Sequence, residues 1–217
     1  MKIVHAADLH VDSPLTGLAR YEGAPVDQIR GATRRAFENL VQLCLDEEVQ
    51  LLLLAGDLFD GEWKDYTTGL FFVGQLLRLK PAGIPVVLVK GNHDAASVVT
   101  RHLTLPSHVT ELSSRAPETR LFEQLGIAVH GQSYAERAEY NNLAANYPDA
   151  LPGCLNIGLL HTCVTGRAGH EPYAPCGLEG LLAKNYDYWA LGHIHEREIL
   201  HEDPWVVFPG NLQGRHM

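Results

Sequence analysis

Aspartate, histidine and asparagine residues follow five short apolar runs of this sequence. The polar groups are DLH at 8–10, GD at 56–57, GNHD at 91–94, HT at 161–162 and GHIH at 192–195. Carboxylate, amide and imidazole donors without cysteine suit Mn²⁺, Fe²⁺ or Zn²⁺, and they offer too much nitrogen for calcium. Their number fits two ions a few ångströms apart, bridged by a carboxylate.

Each of these residues also has a purely structural interpretation. Asp8 could cap a turn, and Gly56 with Asp57 could form a turn dipeptide. The two histidines of GHIH could lie on one face of a short extended segment. The same coincidence would have to occur after five apolar runs, which favours one shared site.

The apolar runs predict the elements that position these residues. Runs rich in Val, Ile and Leu are typical of strands buried on both faces; here they span Lys2–Ala7, Val49–Ala55, Ile84–Lys90, Leu155–Leu160 and Tyr186–Leu191. Helical spacing of apolar residues over 27–48 and about 67–79 separates the first three. This order predicts parallel βαβ units, and ligands of open parallel sheets bind beyond the carboxyl ends of the strands.

The remaining sequence gives weaker signals. The segment LFEQLGIAVHG predicts a helix end or a loop that enters a strand, and WVVFPGN predicts a further strand. No repeat or linker is visible, so we expect one domain over residues 1–217.

Composition and charge limit the function classes. Of 217 residues, 46% are apolar and 20% charged, which is typical of a soluble α/β domain. The net charge of −9 argues against a broad basic surface that holds nucleic acid. The four cysteines form no C-x-x-C pair, and neither a signal peptide nor a membrane-spanning run is present, so we expect a cytoplasmic protein.

In this order, the motifs D-x-H, G-D, G-N-H-D, an isolated H and G-H-x-H resemble those of the calcineurin-like metallophosphoesterase family. The resemblance spans Asp8 to His195. It implies an α/β fold, a four-layer αββα sandwich with the metal site at the C-terminal ends of the strands. It also implies two divalent ions, Mn²⁺ first, with Fe²⁺ or Zn²⁺ as alternatives.

The resemblance also implies a role for each motif residue. The implied ligands are Asp8, His10, Asp57 and His195 for one ion, and Asp57, Asn92, His161 and His193 for the other. His93 would be catalytic rather than a ligand: it would face the phosphate and either help to neutralise the transition state or protonate the leaving oxygen, with Asp94 orienting it. A hydroxide activated by the two ions would attack phosphorus in line.

The segments HAADLHVDSPL, GDLFDGEW, GHEPYAPC and VVFPGNLQGRH are similar to the bacterial DNA-repair exonuclease branch of the family, SbcD-like and nearest the YhaO type. This branch implies hydrolysis of DNA at its ends, an SbcC-like ABC-type ATPase partner and a homodimer. Its members carry a capping domain and an ATPase-binding segment after the core; we expect either that this chain is truncated or that the protein lacks those parts. Archaeal and eukaryotic relatives have histidine where this chain has Asp60, so a second catalytic histidine is not implied.

Several alternatives remain at this stage. The first hypothesis is a DNA nuclease, the second a phosphodiesterase for small or cyclic nucleotides, and the third a non-catalytic scaffold that binds DNA ends. Candidate substrate-binding residues are Asp60, His170 and Tyr173, although the prolines of GHEPYAPC could only stiffen a surface loop. Arg30, Arg34 and Arg35 could contact a phosphate backbone or form a solvated face.

Overall fold

The computed structural model describes residues 1–13, 31–60, 66–97, 103–164 and 171–214. Their strands form two β-sheets. The first is parallel throughout, in the order β1 (Ile3–Ala6), β2 (Leu51–Ala55), β3 (Val86–Val89) and β4 (Val109–Glu111).

The second sheet is mixed and has the spatial order β5-β6-β7-β8-β10-β9. Its strands are β5 (Glu118–Phe122), β6 (Ile127–Gly131), β7 (Leu155–His161), β8 (Tyr188–Gly192), β9 (Glu198–Glu202) and β10 (Trp205–Phe208). The four inner strands are parallel, while β5 and β9 pair antiparallel at the two edges.

The described helices are mostly short. They are α1 (Ala32–Asp46), α2 (Tyr66–Leu77), α3 (Asn92–Ala96), α4 (Leu178–Leu182) and a 3-10 turn at Leu143–Asn146. Among the described residues, no helix has the length and apolar character needed to cross a membrane.

The two sheets pack face to face through alternate residues of their strands. Leu51 and Leu53 of β2 point into a buried cluster that also contains Ile157 and Leu159 of β7. Because successive side chains of a strand point to opposite faces, Leu52 packs on the other side of the first sheet. A strand buried on both faces has no polar position, which explains the continuous leucine run of β2.

Helices cover both outer faces. Phe37 of α1 and Phe72 of α2 stack 5.0 Å apart against the first sheet. On the second sheet, Trp189 of β8 packs with Leu181 of α4 and donates its indole N–H to the Leu181 carbonyl at 3.1 Å. The resulting order of helices, sheet, sheet and helices confirms the predicted αββα sandwich.

The structure decides between the two interpretations of LFEQLGIAVHG. This segment is a β-hairpin in which β5 ends at Phe122 and β6 begins at Ile127. Gly126 adopts a φ of 65°, which a residue without a side chain tolerates, and the chain reverses there. The helix-end interpretation was therefore wrong, and the entry into a strand is confirmed.

The sheets approach each other closely at the end where the polar motifs lie. A Cβ atom on Gly192, the last residue of β8, would lie 1.9 Å from the carbonyl oxygen of Ala55, the last residue of β2. Only glycine fits this contact. The carboxyl ends of β2 and β8 therefore meet, and the residues that follow them are brought together.

Candidate metal centre

The backbone beyond β1 and β2 is held in an unusual conformation. The N–H of Asp8 donates to the Gly56 carbonyl and that of His10 donates to the Asp57 carbonyl, each at 3.0 Å. Asp8, His10, Asp57 and His193 have positive φ values of 53°, 42°, 52° and 101°. Non-glycine residues pay about 1–3 kcal/mol for such conformations, which persist where the surrounding structure fixes them and cluster at functional sites.

One group of donor atoms comes from Asp8, His10 and His195, which lie within 4.8 Å of one another. The Nε2 atoms of His10 and His195 are 3.3 Å apart, and Oδ1 of Asp8 is 3.8 Å from the latter. Two nitrogens that each lie ~2.1 Å from one ion, at about 100° to each other, would be about 3.2 Å apart. The observed spacing fits two ligands of a single ion.

A second group contains Asp57, His161 and His193. Nε2 of His161 lies 3.1 Å from Oδ1 of Asn92 and 3.5 Å from Oδ2 of Asp57. The same Asp57 oxygen is 3.9 Å from Nε2 of His10 in the first group. Asp57 therefore occupies the position that a carboxylate bridging two ions requires.

The hydrogen bonds of the histidines show which nitrogens are available. Nδ1 of His161 donates to the Ala55 carbonyl at 2.9 Å, so a neutral ring presents an unprotonated Nε2 to the two nearby oxygens. Nδ1 of His10 pairs with Asp60 at 2.8 Å, which leaves its Nε2 facing that of His195. Lone pairs that face other acceptors repel unless a cation lies between them, and outer partners of this kind are typical of metal-ligating histidines. The donor set thus fits two divalent cations.

The pKa values of the buried groups show that nearby positive charge stabilises the ionised carboxylates. Burial raises the pKa of Asp8 to about 6. Burial would also raise the pKa of Asp57, but His161 and the neighbouring histidines hold it well below its ordinary value. Burial alone would lower the pKa of His161, whereas Asp57 and Asp8 raise it to about 9.

His93 lies beside these ligands and is more accessible than most of them. Its backbone N–H donates to Oδ1 of Asp57 at 2.9 Å, and 28% of its side chain is exposed. Nδ1 of the ring lies 3.4 Å from Asp60, and Nε2 lies 4.0 Å from Asp57. The ring therefore stands at the rim of the centre, where a bound phosphate ester could meet it.

A family model for calcineurin-like phosphoesterases matches residues 1–197. The chain belongs to this family. Among solved structures, the protein TT1561 of Thermus thermophilus superimposes with a TM-score of 0.55 at 15% identity, covering 97% of this chain and 89% of that one. At this identity the likeness shows the fold alone.

Curated relatives include a metallophosphoesterase, a nuclease subunit and a DNA repair protein. The uncharacterized metallophosphoesterase YhaO of Bacillus subtilis is 37% identical over 221 residues, which cover all of this chain and 54% of YhaO. A subunit of the nuclease SbcCD from Rhodobacter capsulatus is 34% identical over 85% of this chain and 43% of its own length. The DNA double-strand break repair protein Mre11 of Methanopyrus kandleri is 27% identical over 97% and 48%. The chain spans about half the length of these relatives.

Two predicted carboxylates of this metallophosphoesterase have clear positions. The Asp94 carboxylate accepts hydrogen bonds from the backbone N–H groups of Leu58, Phe59 and Gly91 at 3.1, 2.9 and 3.0 Å. It thus joins the loop after β2 to the loop after β3. The carboxylate 3.4 Å from the His93 ring belongs to Asp60, which is only 7% exposed and lies behind His10 and His93.

The other predicted substrate contacts differ in position. Tyr173 is half-buried with its ring 6.0 Å from that of His193, whereas His170 lies outside the described residues.

Arg34 forms an ion pair with Asp12, its Nε donating at 2.7 Å, and stacks over Phe71. This packing favours a structural role for Arg34; Arg30 lies outside the described residues.

Three groups that support the ligands were missed by sequence reasoning. The Tyr134 hydroxyl donates to the His161 carbonyl at 2.8 Å. The carbonyls of Ala55 and Glu171 accept hydrogen bonds from His161 and His193. Backbone carbonyls leave no signature in a sequence, and Tyr134 lies in the stretch without clear periodicity.

Proposed function

We propose that this metallophosphoesterase hydrolyses phosphodiester bonds of DNA as a metal-dependent nuclease. The observation that carries the proposal is the convergence of seven metal-ligand candidates and His93 beyond the carboxyl ends of strands from both sheets. The choice of DNA is supported by the names of two relatives, a nuclease subunit and a DNA double-strand break repair protein.

Each part of the site has a task in this reaction. Two bound divalent ions, Mn²⁺ first among the candidates, would lower the pKa of the attacking water and offset charge on the phosphoryl oxygens. His93 would donate a proton from its ring to the leaving oxygen, with Asp94 holding the loop that carries it and the Asp60 carboxylate 3.4 Å from its Nδ1. A positioned general acid contributes about 10²–10⁴ in rate.

We further propose that residues 1–217 form a single nuclease core domain. The protein would act as a homodimer with an SbcC-like ABC-type ATPase subunit. The net charge of −9 supports the need for such a partner, because a polyanionic duplex is repelled by an acidic core. The same charge favours the second candidate function, hydrolysis of small or cyclic nucleotides, which carry few phosphates.

Hydrolysis of an end-labelled linear duplex, with and without Mn²⁺, tests the proposal beside a His93→Ala control. We expect cutting that needs Mn²⁺ and that the variant loses. A cyclic nucleotide and the generic diester bis(p-nitrophenyl) phosphate are assayed in parallel. If the cyclic nucleotide is hydrolysed and neither duplex nor single-stranded DNA is cut, the nuclease assignment is wrong and the second candidate stands.

A further inference from the structure

Two tyrosine rings lead outward from the candidate metal centre. The ring of Tyr173 lies 6.0 Å from that of His193, and the ring of Tyr140 lies 5.8 Å from that of Tyr173. Tyr173 is partly buried, whereas Tyr140 is 63% exposed. An aromatic surface therefore begins at a metal-ligand candidate and ends in solvent two rings away.

The segments that carry both tyrosines are tied to the end of β7. The Tyr173 carbonyl accepts a hydrogen bond from the N–H of Cys163 at 2.9 Å. The next residue, Ala174, donates its N–H to the Glu139 carbonyl at 2.7 Å and accepts from the Thr162 hydroxyl at 2.7 Å. The backbone that carries both rings is thus fixed before any ligand binds, which lowers the entropic cost of binding.

The charges near these rings select the part of a substrate that can bind there. Glu139 directly precedes Tyr140 in the chain and Glu171 lies two residues before Tyr173, and carboxylates repel phosphate groups. A nucleobase is neutral, and its flat face stacks on aromatic side chains with little dependence on sequence. A base, rather than the sugar–phosphate backbone, therefore fits this surface.

We propose that Tyr140 and Tyr173 form a stacking subsite for unpaired nucleobases next to the scissile phosphate. The inference rests on the proposed phosphodiesterase function and specifies its substrate as a single-stranded or frayed end. A paired base within a duplex has no free face to offer. The path from the Tyr140 ring through the Tyr173 ring to the His193 ring is long enough for up to about three stacked nucleotides, which follow one another at ~3.4 Å along a strand.

Binding can be measured without turnover, on the metal-free protein. The probe is a short fluorescent single-stranded oligonucleotide, compared by anisotropy with an abasic strand of the same length and charge. We expect the wild-type protein to prefer the strand with bases, and Tyr140→Ala to weaken its binding by about fivefold or more while leaving the abasic strand unaffected. Tyr140→Phe keeps the ring and should keep the preference.

Tyr66→Ala is the matched control, because Tyr66 is 65% exposed on α2. Equal wild-type affinity for the two strands would overturn the subsite, as would an unchanged preference in Tyr140→Ala or an equal loss in Tyr66→Ala. Loss of the preference in Tyr140→Phe would also overturn it, since stacking needs no hydroxyl.

Failure of the nuclease proposal would appear in the turnover assays, whereas failure of the subsite would appear in the binding comparison. A wild-type protein that cuts neither DNA nor the generic diester would remove the proposed activity, while the binding comparison would still decide the subsite. In an active protein, Tyr140→Ala should raise KM for the single strand and leave cleavage of the abasic strand unchanged. Equal effects on both strands would count against base stacking.

Discussion

Asp60 determines which nitrogen of His10 carries a proton. Its carboxylate accepts from Nδ1 at 2.8 Å and is almost fully buried, so Nε2 is left as the atom that could bind an ion. A hydrogen bond shielded from water is stronger than an exposed one, and an imidazole held by a carboxylate is a better ligand. Asp60 also lies within 3.4 Å of His93, so one side chain supports a ligand and the candidate acid.

Asp60→Ala should therefore weaken metal binding. Loss of such an outer partner typically costs 10–100-fold in affinity, and we expect a decrease of that order in a calorimetric Mn²⁺ titration. Asp60→Asn retains an acceptor and should lose less. Asp46→Ala, at an exposed position at the end of α1, is the control. An affinity in Asp60→Ala equal to that of the control would refute this role.

For individual residues, the sequence predicted the types of functional group in the site better than the contacts that these groups make. It singled out the polar groups after the strands because their residue types and positions are visible in the chain. It assigned Asp60 to substrate, since nothing local reveals a contact with His10, 50 residues away. The roles of all these residues in catalysis and metal binding stay predictions.

The elements position the site through the close approach of the two sheets. β2 and β8 touch at Ala55 and Gly192, and His161 at the end of β7 reaches across to the Ala55 carbonyl. These contacts join the ligands of one sheet to those of the other. A change in the spacing between the sheets would therefore move both groups of donors.

Gly192→Ala tests this spacing. The added Cβ would meet the Ala55 carbonyl oxygen at 1.9 Å, and backbone must move to accommodate it. We expect a loss of about 1–3 kcal/mol in the free energy of unfolding, measured by urea denaturation, together with weaker Mn²⁺ binding. Gly180→Ala is the control: nothing lies within 4 Å of its Cβ, and a helical alanine should add about 0.5–1 kcal/mol. Equal stability of both variants would show that the contact is not tight.

Buried elements were predictable and edge elements were not. The five apolar runs correspond to β1, β2, β3, β7 and β8 within two residues at either end, because strands covered on both faces need continuous apolar sequence. β5 has only exposed and half-buried residues at a sheet edge, and β4 has only three residues. The helix α3 begins at Asn92, within the GNHD motif, for which the sequence predicted no helix.

For the molecule as a whole, His5 links the first strand to the second sheet. Its Nε2 donates to the Leu191 carbonyl and its Nδ1 accepts from the Tyr188 hydroxyl, both at 3.1 Å. Both nitrogens are satisfied in the neutral ring. Burial lowers the pKa of His5 to about 4, so the folded protein resists its protonation.

His5 should therefore make the free energy of unfolding depend on pH. Between about pH 4 and 6.5 the unfolded chain binds a proton that the folded protein does not, so stability falls as the pH decreases through this window. The total contribution is about 1–3 kcal/mol. In His5→Gln, urea denaturation from pH 4 to 7 should show a flatter profile. An unchanged slope would mean that other groups cause the acid sensitivity.

The most direct test of the central claim combines metal analysis with turnover in His93→Ala. We expect two Mn²⁺ ions per chain in both the wild-type protein and the variant, because His93 is proposed to support catalysis without binding metal. Turnover of bis(p-nitrophenyl) phosphate should fall by about 10²–10⁴ in the variant. A variant that loses its metal, or that keeps full turnover, would contradict the assignment of His93. A wild-type protein that binds no divalent ions would contradict the metal centre itself.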